Sequence, residues 1–348
     1  MITGTITFAT GGSIELTDDN VLANSVSISM STCREKKFDF GTFNAALLNI
    51  GIIDNDALEH EFAGAEITLS TTFIDENDDE ETFNLGHYWV DGTTIKRNRN
   101  TVTMTAQDAS AQFNKEIASN VRDTSYTPAT LYAAACTACG VTFDSNVDVT
   151  AFINDTVTFT LKSEAIQTWR DAVMWTAMIQ ACNALINRDG ELTLRRAKHQ
   201  STSADWIITA ADRADIKFSD TRTYPKYMDA YSGGKVKTYT STATISDPQS
   251  QAGKIIMPYN PLIEDKTEAD CDTINAAILA FMDNFLQRQV EARLFTDPRI
   301  ALGEVVRFTG GKVDVRRSIL GIVTSVTWRY HGYTTVVCTA PEAITEES

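Results

Sequence analysis

The sequence of 348 residues contains no apolar run approaching the ~20 residues of a membrane-spanning helix. Its first residues, MITGTITFATGG, lack a basic stretch followed by an apolar one, so no signal peptide is expected. Basic residues are the minority: 30 Lys and Arg stand against 46 Asp and Glu, a net charge of −16 with a pI near 4.7. A protein that grips nucleic acid by its phosphates needs a basic face, and an anionic membrane surface repels such a chain. Cysteine is sparse. Cys33, Cys136, Cys139, Cys182, Cys271 and Cys338 have no framework spacing and are expected as free thiols of a protein made in a reducing cytoplasm.

Recognisable chemistry is sparse as well. No GxSxG elbow, Walker loop or GxGxxG fingerprint occurs, and Gly310-Gly311-Lys312 reads as a hairpin turn. The four histidines, His60, His87, His199 and His331, form no HExxH pair. Cys136 and Cys139 have CxxC spacing, but structural zinc needs four ligands and no second pair exists, so both read as cysteines of an alanine-rich helix. The acidic run Asp75–Glu81 has Glu80 where a calcium loop needs glycine, and reads as a solvated hairpin tip that discourages edge pairing. Trp169 and Trp175 read as helix-packing residues rather than a sugar platform. Two acids can meet from anywhere in a fold, so no glycosidase pair is named. No position is assigned as catalytic, cofactor-binding or metal-ligating, and an enzyme is not expected.

What is present is a strand-rich chain of ordinary globular composition, 43 % hydrophobic and 22 % charged, long enough for two or three domains. Period-2 alternation marks Thr5–Phe8, Val26–Met30, Glu66–Ser70 and Thr101–Thr105 as half-buried strands. Asn44–Asn49 reads as a helical turn. Thr127-Pro128 supplies an N-cap and a first-turn proline, Leu131, Ala134, Ala135 and Ala138 follow at helical spacing, and Gly140 stops the helix. A second helix is expected over about Ser163–Cys182. Asp189-Gly190 then joins two apolar runs as a hairpin. Strands resume from Trp206 to Tyr239, a connector follows to Pro261, and a third helix is expected over about Thr273–Ala292. The chain closes with strands from Glu304 to Ala340 and a frayed acidic tail.

A weak internal repeat accompanies this order. Gly64–Leu69, His87–Val90 and Thr101–Ala106 echo Gly303–Phe308, Leu320–Val323 and Thr335–Ala340, which points to two related β-barrels in one chain.

Several segments, taken in order and spacing, resemble the baseplate-hub proteins of tailed bacteriophages and related contractile injection particles. They are Phe38-Asp39-Phe40-Gly41-Thr42 with Leu47–Ile52, Ile67–Leu69, Leu85–Asp91, Thr101–Ala109, Tyr126–Leu131 with Cys139–Val141, Thr168–Asp171, Asn187–Leu192, and Asp297-Pro298-Arg299 with Leu302–Val306. The resemblance implies a mainly β fold with an α+β insertion: two tail-tube-like antiparallel β-barrels flanking a split helical and hairpin domain. The barrels fall at 1–113 and at 206–245 with 296–348, the insertion at 114–205 with 246–295. It further implies a homotrimeric ring that adapts a six-fold tail tube above to a three-fold spike or tip below. Other baseplate proteins are implied as partners. So is a place at the distal end of the virion tail after assembly in the bacterial host cytoplasm. DNA passes through without specific binding, and neither a cofactor nor membrane insertion is implied. A β-rich cell-wall or carbohydrate-active hydrolase and a hexameric tail-tube or sheath protein are the alternatives.

Overall fold

A computed structural model describes residues 1–32, 39–56, 58–74, 80–197, 203–218, 222–242, 250–282, 288–295, 297–310, 317–340 and 345–346. The amino-terminal part contains β1 (Ile2–Thr7), β2 (Ser13–Thr17), β3 (Ser27–Ser31), β4 (Leu47–Ile53), β5 (Glu66–Ile74), β6 (Glu80–Val90), β7 (Lys96–Asn98) and β8 (Thr101–Gln107). Seven of them are neighbours in the order β3-β4-β8-β6-β5-β1-β2, all antiparallel, and β7 pairs with β8. Alternate residues point inward, as the period-2 pattern requires: Leu48, Ile50 and Ile52 of β4 meet Val102, Met104 and Ala106 of β8 in one core with Ile2, Ile6, Leu16, Ile67 and Leu69. Each such buried aliphatic side chain contributes about 1.5–3 kcal/mol. Asn44–Asn49 is not a helical turn, because Leu47–Ile53 forms a strand that buries Leu48, Ile50 and Ile52 on one side.

The middle of the chain contains α1 (Pro128–Cys139), α2 (Trp169–Ile179), β9 (Cys182–Ile186) and β10 (Leu192–Arg196). The side chain of Thr127 accepts from the Thr130 amide and the Thr130 hydroxyl answers the Thr127 amide, while Gly140 closes α1 at φ 70°. The second helix starts later than expected, since Thr168 caps it through the same reciprocal pattern with Asp171. It also stops earlier, at Ile179, with Ala181 beyond the cap at φ 48°. The Asp189-Gly190 turn joins β9 and β10, and Asn187 Oδ1 accepts from the Asp189 and Glu191 amides.

Next come β11 (Trp206–Ile208), β12 (Arg213–Phe218), β13 (Arg222–Ser232), β14 (Lys235–Thr240), β15 (Ser250–Ile256), α3 (Glu268–Phe281), β16 (Arg288–Leu294), β17 (Val305–Phe308), β18 (Arg317–Arg329), β19 (Thr334–Ala340) and β20 (Thr345–Glu346). The order β12-β16-β19-β18 continues through β17 to β11, around a second β core of Ile216, Val290, Leu294, Phe308, Val323 and Val336. β18 also pairs antiparallel with β3, so both β units share a fifteen-stranded sheet. The repeat has a structural counterpart: β5-β6-β8 and β17-β18-β19 are each consecutive antiparallel neighbours.

Strand pairing differs from the expected segment boundaries in two places. β13 pairs with β14 on one side and, on the other, with β15, which lies inside the span expected to be a connector, and Met228 and Ala230 turn inward onto the core that Cys271, Ile274 and Ile278 of α3 complete. The third helix ends at Phe281, and Arg288–Leu294 is a strand because Val290, Ala292 and Leu294 alternate into the second β core. In the acidic tail Thr345–Glu346 pairs with β18 rather than fraying. Among the described residues no helix is long and apolar enough to cross a membrane.

Candidate functional site

Among the described residues, those singled out for their chemistry do not gather into one site. Trp169 is in the helical core, and Trp175 packs against its edge. Cys136, Cys139, Cys182, Cys271 and Cys338 are free thiols, and burial pushes Cys136 up to about 12 and Cys139 to about 11, so both stay protonated. His60 stacks on Phe8 and bonds Asp54 at 2.8 Å, His87 bonds Glu66 at 3.1 Å, and His331 lies against Tyr330. His199, Cys33, Gly311, Lys312 and the acidic tip at 75–79 fall outside the described residues; Gly310 is in a left-handed turn conformation. Among the described residues no three His, Cys, Asp or Glu side chains group in a way that could hold a metal ion. A surface cleft of about 740 Å³ is lined by Lys162, Glu164, Tyr259, Glu264, Asp265 and Lys266, a mixture of both signs.

The arrangement that the fold builds consistently is one face of the continuous sheet. Opposed residues of antiparallel strands share a face, so the register fixes its composition. Across β8, β4, β3 and β18 one row reads Thr105, Asn49, Ser27 and Arg329, and the next reads Gln107, Leu47, Ser29 and Thr327. Ser31 faces Ser325, Thr103 faces Gly51 and Thr101 faces Ile53. The Thr105 hydroxyl donates to Asn49 Oδ1 at 2.8 Å, Asn49 Nδ2 donates to Ser27 Oγ at 3.4 Å, and Ser29 Oγ donates to Thr327 Oγ1 at 3.5 Å. These rows contain no carboxylate, and their single guanidinium, Arg329, sits at the end of β18. The other side of the same strands is the apolar core. Thr335 of β19 extends the hydroxyl row beside Thr327. Farther on the face becomes charged, with Arg293 of β16 opposite Asp215 of β12 and Glu291 opposite Lys217. In a chain of net charge −16, a hydroxyl- and amide-rich surface without carboxylates that spans two β units is a selective distribution of charge. Periodicity alone marked the outward positions; only the register reveals that they join into one surface.

A second surface lies on the three-stranded sheet. α3 covers one face, where Asp272 accepts hydrogen bonds from Lys237, from Tyr239 Oη at 2.6 Å and from Ser232 Oγ at 2.8 Å. These bonds hold the Asp272 carboxyl down at about 2. The other face presents Tyr227, Val236 and Ile256 to solvent; the last two are 71 % and 75 % exposed. Tyr231 packs edge-on against Tyr259 there, and Lys254 pairs with Asp229 at 2.6 Å.

The inserted elements are tied to the first β unit through the connection between β3 and β4. Gly41 N donates to Cys182 O at 2.7 Å and Ala184 N to Thr42 O at 2.9 Å, which adds this segment to β9 as a short parallel neighbour. The guanidinium of Arg170 donates to Phe43 O at 2.7 and 3.1 Å. Asp108 closes the joint: its carboxylate accepts from Ala46 N at 2.9 Å and Ser110 N at 3.1 Å. Burial pushes the Asp108 carboxyl up to about 6, against the opposing pull of these bonds and of Arg170.

No protein-family model matches the chain, and no curated protein matches it in sequence. Solved structures do. The 43 kDa tail protein of prophage MuSo2 from Shewanella oneidensis is similar at 12 % identity and a TM-score of 0.57, over 97 % of this chain and 95 % of that one. A tail protein from Neisseria meningitidis is similar at 9 % identity and 0.58, over 99 % and 97 %. A prophage tail protein from Listeria monocytogenes is similar at 9 % identity and 0.55, over 99 % and 95 %. The chain therefore has the fold of prophage tail proteins along nearly its whole length.

Proposed function

We propose that this chain is a structural component of a phage tail or a related injection particle. In this reading it is a homotrimeric hub at the distal end of the tail, adapting a six-fold tube to a three-fold spike or tip. The observation that carries the reading is the pairing of β3 with β18, which joins two β units of like strand order into one sheet. Two tube-like units per chain become six in a trimer, and a ring of identical contacts closes when its rotation closes. The likeness to tail proteins over nearly the full length of both chains supports the same role.

The first barrel is placed at 1–113 as expected; the second is moved from 206–245 with 296–348 to 206–218 with 288–340, and the insertion from 114–205 with 246–295 to 114–197 with 222–282, because β13 pairs with β14 and β15 and packs on α3, while β16 pairs with β12 and β19. The hydroxyl face lines the central conduit. Phosphates sliding over it meet dipoles and, in these rows, Arg329 as the single fixed cation, too few for DNA to be gripped, so it passes without specific binding. Neighbouring tube, spike and baseplate proteins are the partners, and the role is non-enzymatic.

The test is the solution mass by light scattering after size exclusion. The reading expects three times the 38.3 kDa chain mass, alone or once mixed with co-expressed tail partners. A hexamer, or a monomer that ignores every tail partner, overturns it.

A further inference from the structure

The hairpin β9–β10 carries at its tip one cation held without an acid. The Arg188 guanidinium is largely buried and donates to Pro298 O and, at 3.4 Å, to Ile300 O, both in the connection between β16 and β17. Its Cζ lies over the Phe83 ring of β6, 4.3 Å from the ring centre. Asn84, the next residue of β6, donates from Nδ2 to Arg188 O at 3.0 Å. One side chain and its own carbonyl thus touch the insertion, the first β unit and the second. Asp189, Asp297 and Glu304 lie within electrostatic reach, but none forms an ion pair with Arg188 among the described residues.

We infer that Arg188 is a latch that fixes the angle between the two β units, with the β3–β18 seam as the hinge. The seam is five register pairs wide, with Trp328 of β18 buried in the first core and Met30 packed against both, so it joins the units along one line and leaves the angle about that line to contacts elsewhere. The hairpin touches both units. Leu185 of β9 enters the core of the second unit, and the Arg195 stem lies against Gly303, whose φ is +80°. Arg188 adds direction rather than net stability. A guanidinium removed from water loses hydration that two carbonyls and an aromatic face offset only in part, whereas widening the angle between the units returns it to water. Burial accordingly lowers the Arg188 pKa. Such a contact is retained for geometry, and it can be released without unfolding either unit. This inference concerns one chain and holds whether or not three chains form a ring.

The experiment compares native protein with Arg188→Met, which fills a similar volume without charge, and with Arg188→Lys, which keeps the charge but loses the planar fork. Small-angle scattering reads the spread of distances between the units. Hydrogen exchange reads the amides of 187–191 and 297–303. A melting curve reads global stability. The expected result for Arg188→Met is an unchanged or raised melting temperature, a broader distance distribution and at least tenfold faster exchange in those two segments, with β1 and β19 unaffected. Arg188→Lys falls between Arg188→Met and native, and decides the matter alone if Arg188→Met does not fold. Native-like exchange and scattering in both variants overturns the latch. A lowered melting temperature with faster exchange throughout overturns it too, because Arg188 is then part of the core.

Discussion

Ser29 of β3 and Thr327 of β18 stand opposite one another with their hydroxyl oxygens 3.5 Å apart, although 298 residues separate them in the chain. Where these two meet, the two β units become one sheet, and the pair sits in the rows across β8, β4, β3 and β18 that contain no carboxylate.

Like charges placed directly opposite across a strand pair repel. Changing Ser29 and Thr327 together to aspartate destabilises the folded chain by about 1 kcal/mol. Either change alone has a smaller effect. Urea denaturation of the two single variants and the double variant measures the coupling, which should be unfavourable and should shrink in high salt.

Asp108 gives a pH signature of known sign. Its folded pKa of about 6 lies above the usual carboxylate value of 3.8. The folded state therefore binds the proton more tightly, and the contribution of Asp108 to stability falls as pH rises from about 4 to about 6, then stays level. The stability difference between native protein and Asp108→Asn should change by up to about 3 kcal/mol over that window and be flat above it. Chemical denaturation at a series of pH values checks this; a difference independent of pH refutes it.

Gly41 and Gly64 share a φ of +71° but not their surroundings. A Cβ at Gly41 meets Met178 Cβ at 2.5 Å and Cα at 2.8 Å, whereas none of the atoms around Gly64 comes within 4 Å. Alanine at Gly64 costs about 1 kcal/mol from backbone strain alone. Alanine at Gly41 costs about 2 kcal/mol more, because the β3–β4 connection must move off α2. Melting curves of the two variants separate the terms.

Cys182 and Cys338 are fully buried, and burial raises both thiol pKa values well above the usual range. Native protein at pH 8 should leave both unmodified by an alkylating reagent, as read by peptide mass spectrometry, and denaturant should expose them at once. Labelling in the native state would show that the β9 or β19 core opens readily.

The sequence announced elements whose cause is local. Thr127-Pro128 with Gly140 bounds α1 within a residue, and Asp189-Gly190 marks the β9–β10 turn, because caps and turns are set by adjacent residues. Elements decided by distant partners were hidden. Arg288–Leu294 looks helical when joined to the preceding residues, and becomes a strand because β12 and β19 flank it. Ser250–Ile256 looks like a connector until β13 offers its edge. The outward face showed only as alternating serines and threonines, since the register joining β3 to β18 is written nowhere in either segment. Arg188 stood in plain view in the turn, but its contacts with Phe83 and Pro298 come from parts of the chain about 100 residues away on either side.

The seam also sets a timetable. A ribosome releases β3 and β4 long before it has made β18, so the amino-terminal unit waits with the edge of β3 unpaired while most of the chain is synthesised. An open edge is an invitation to foreign strands, and the waiting edge presents Ser27, Ser29 and Ser31 rather than a row of large apolar side chains. The joined sheet therefore arrives late and all at once, when the strand that completes it emerges and the hydroxyl surface first exists as a whole.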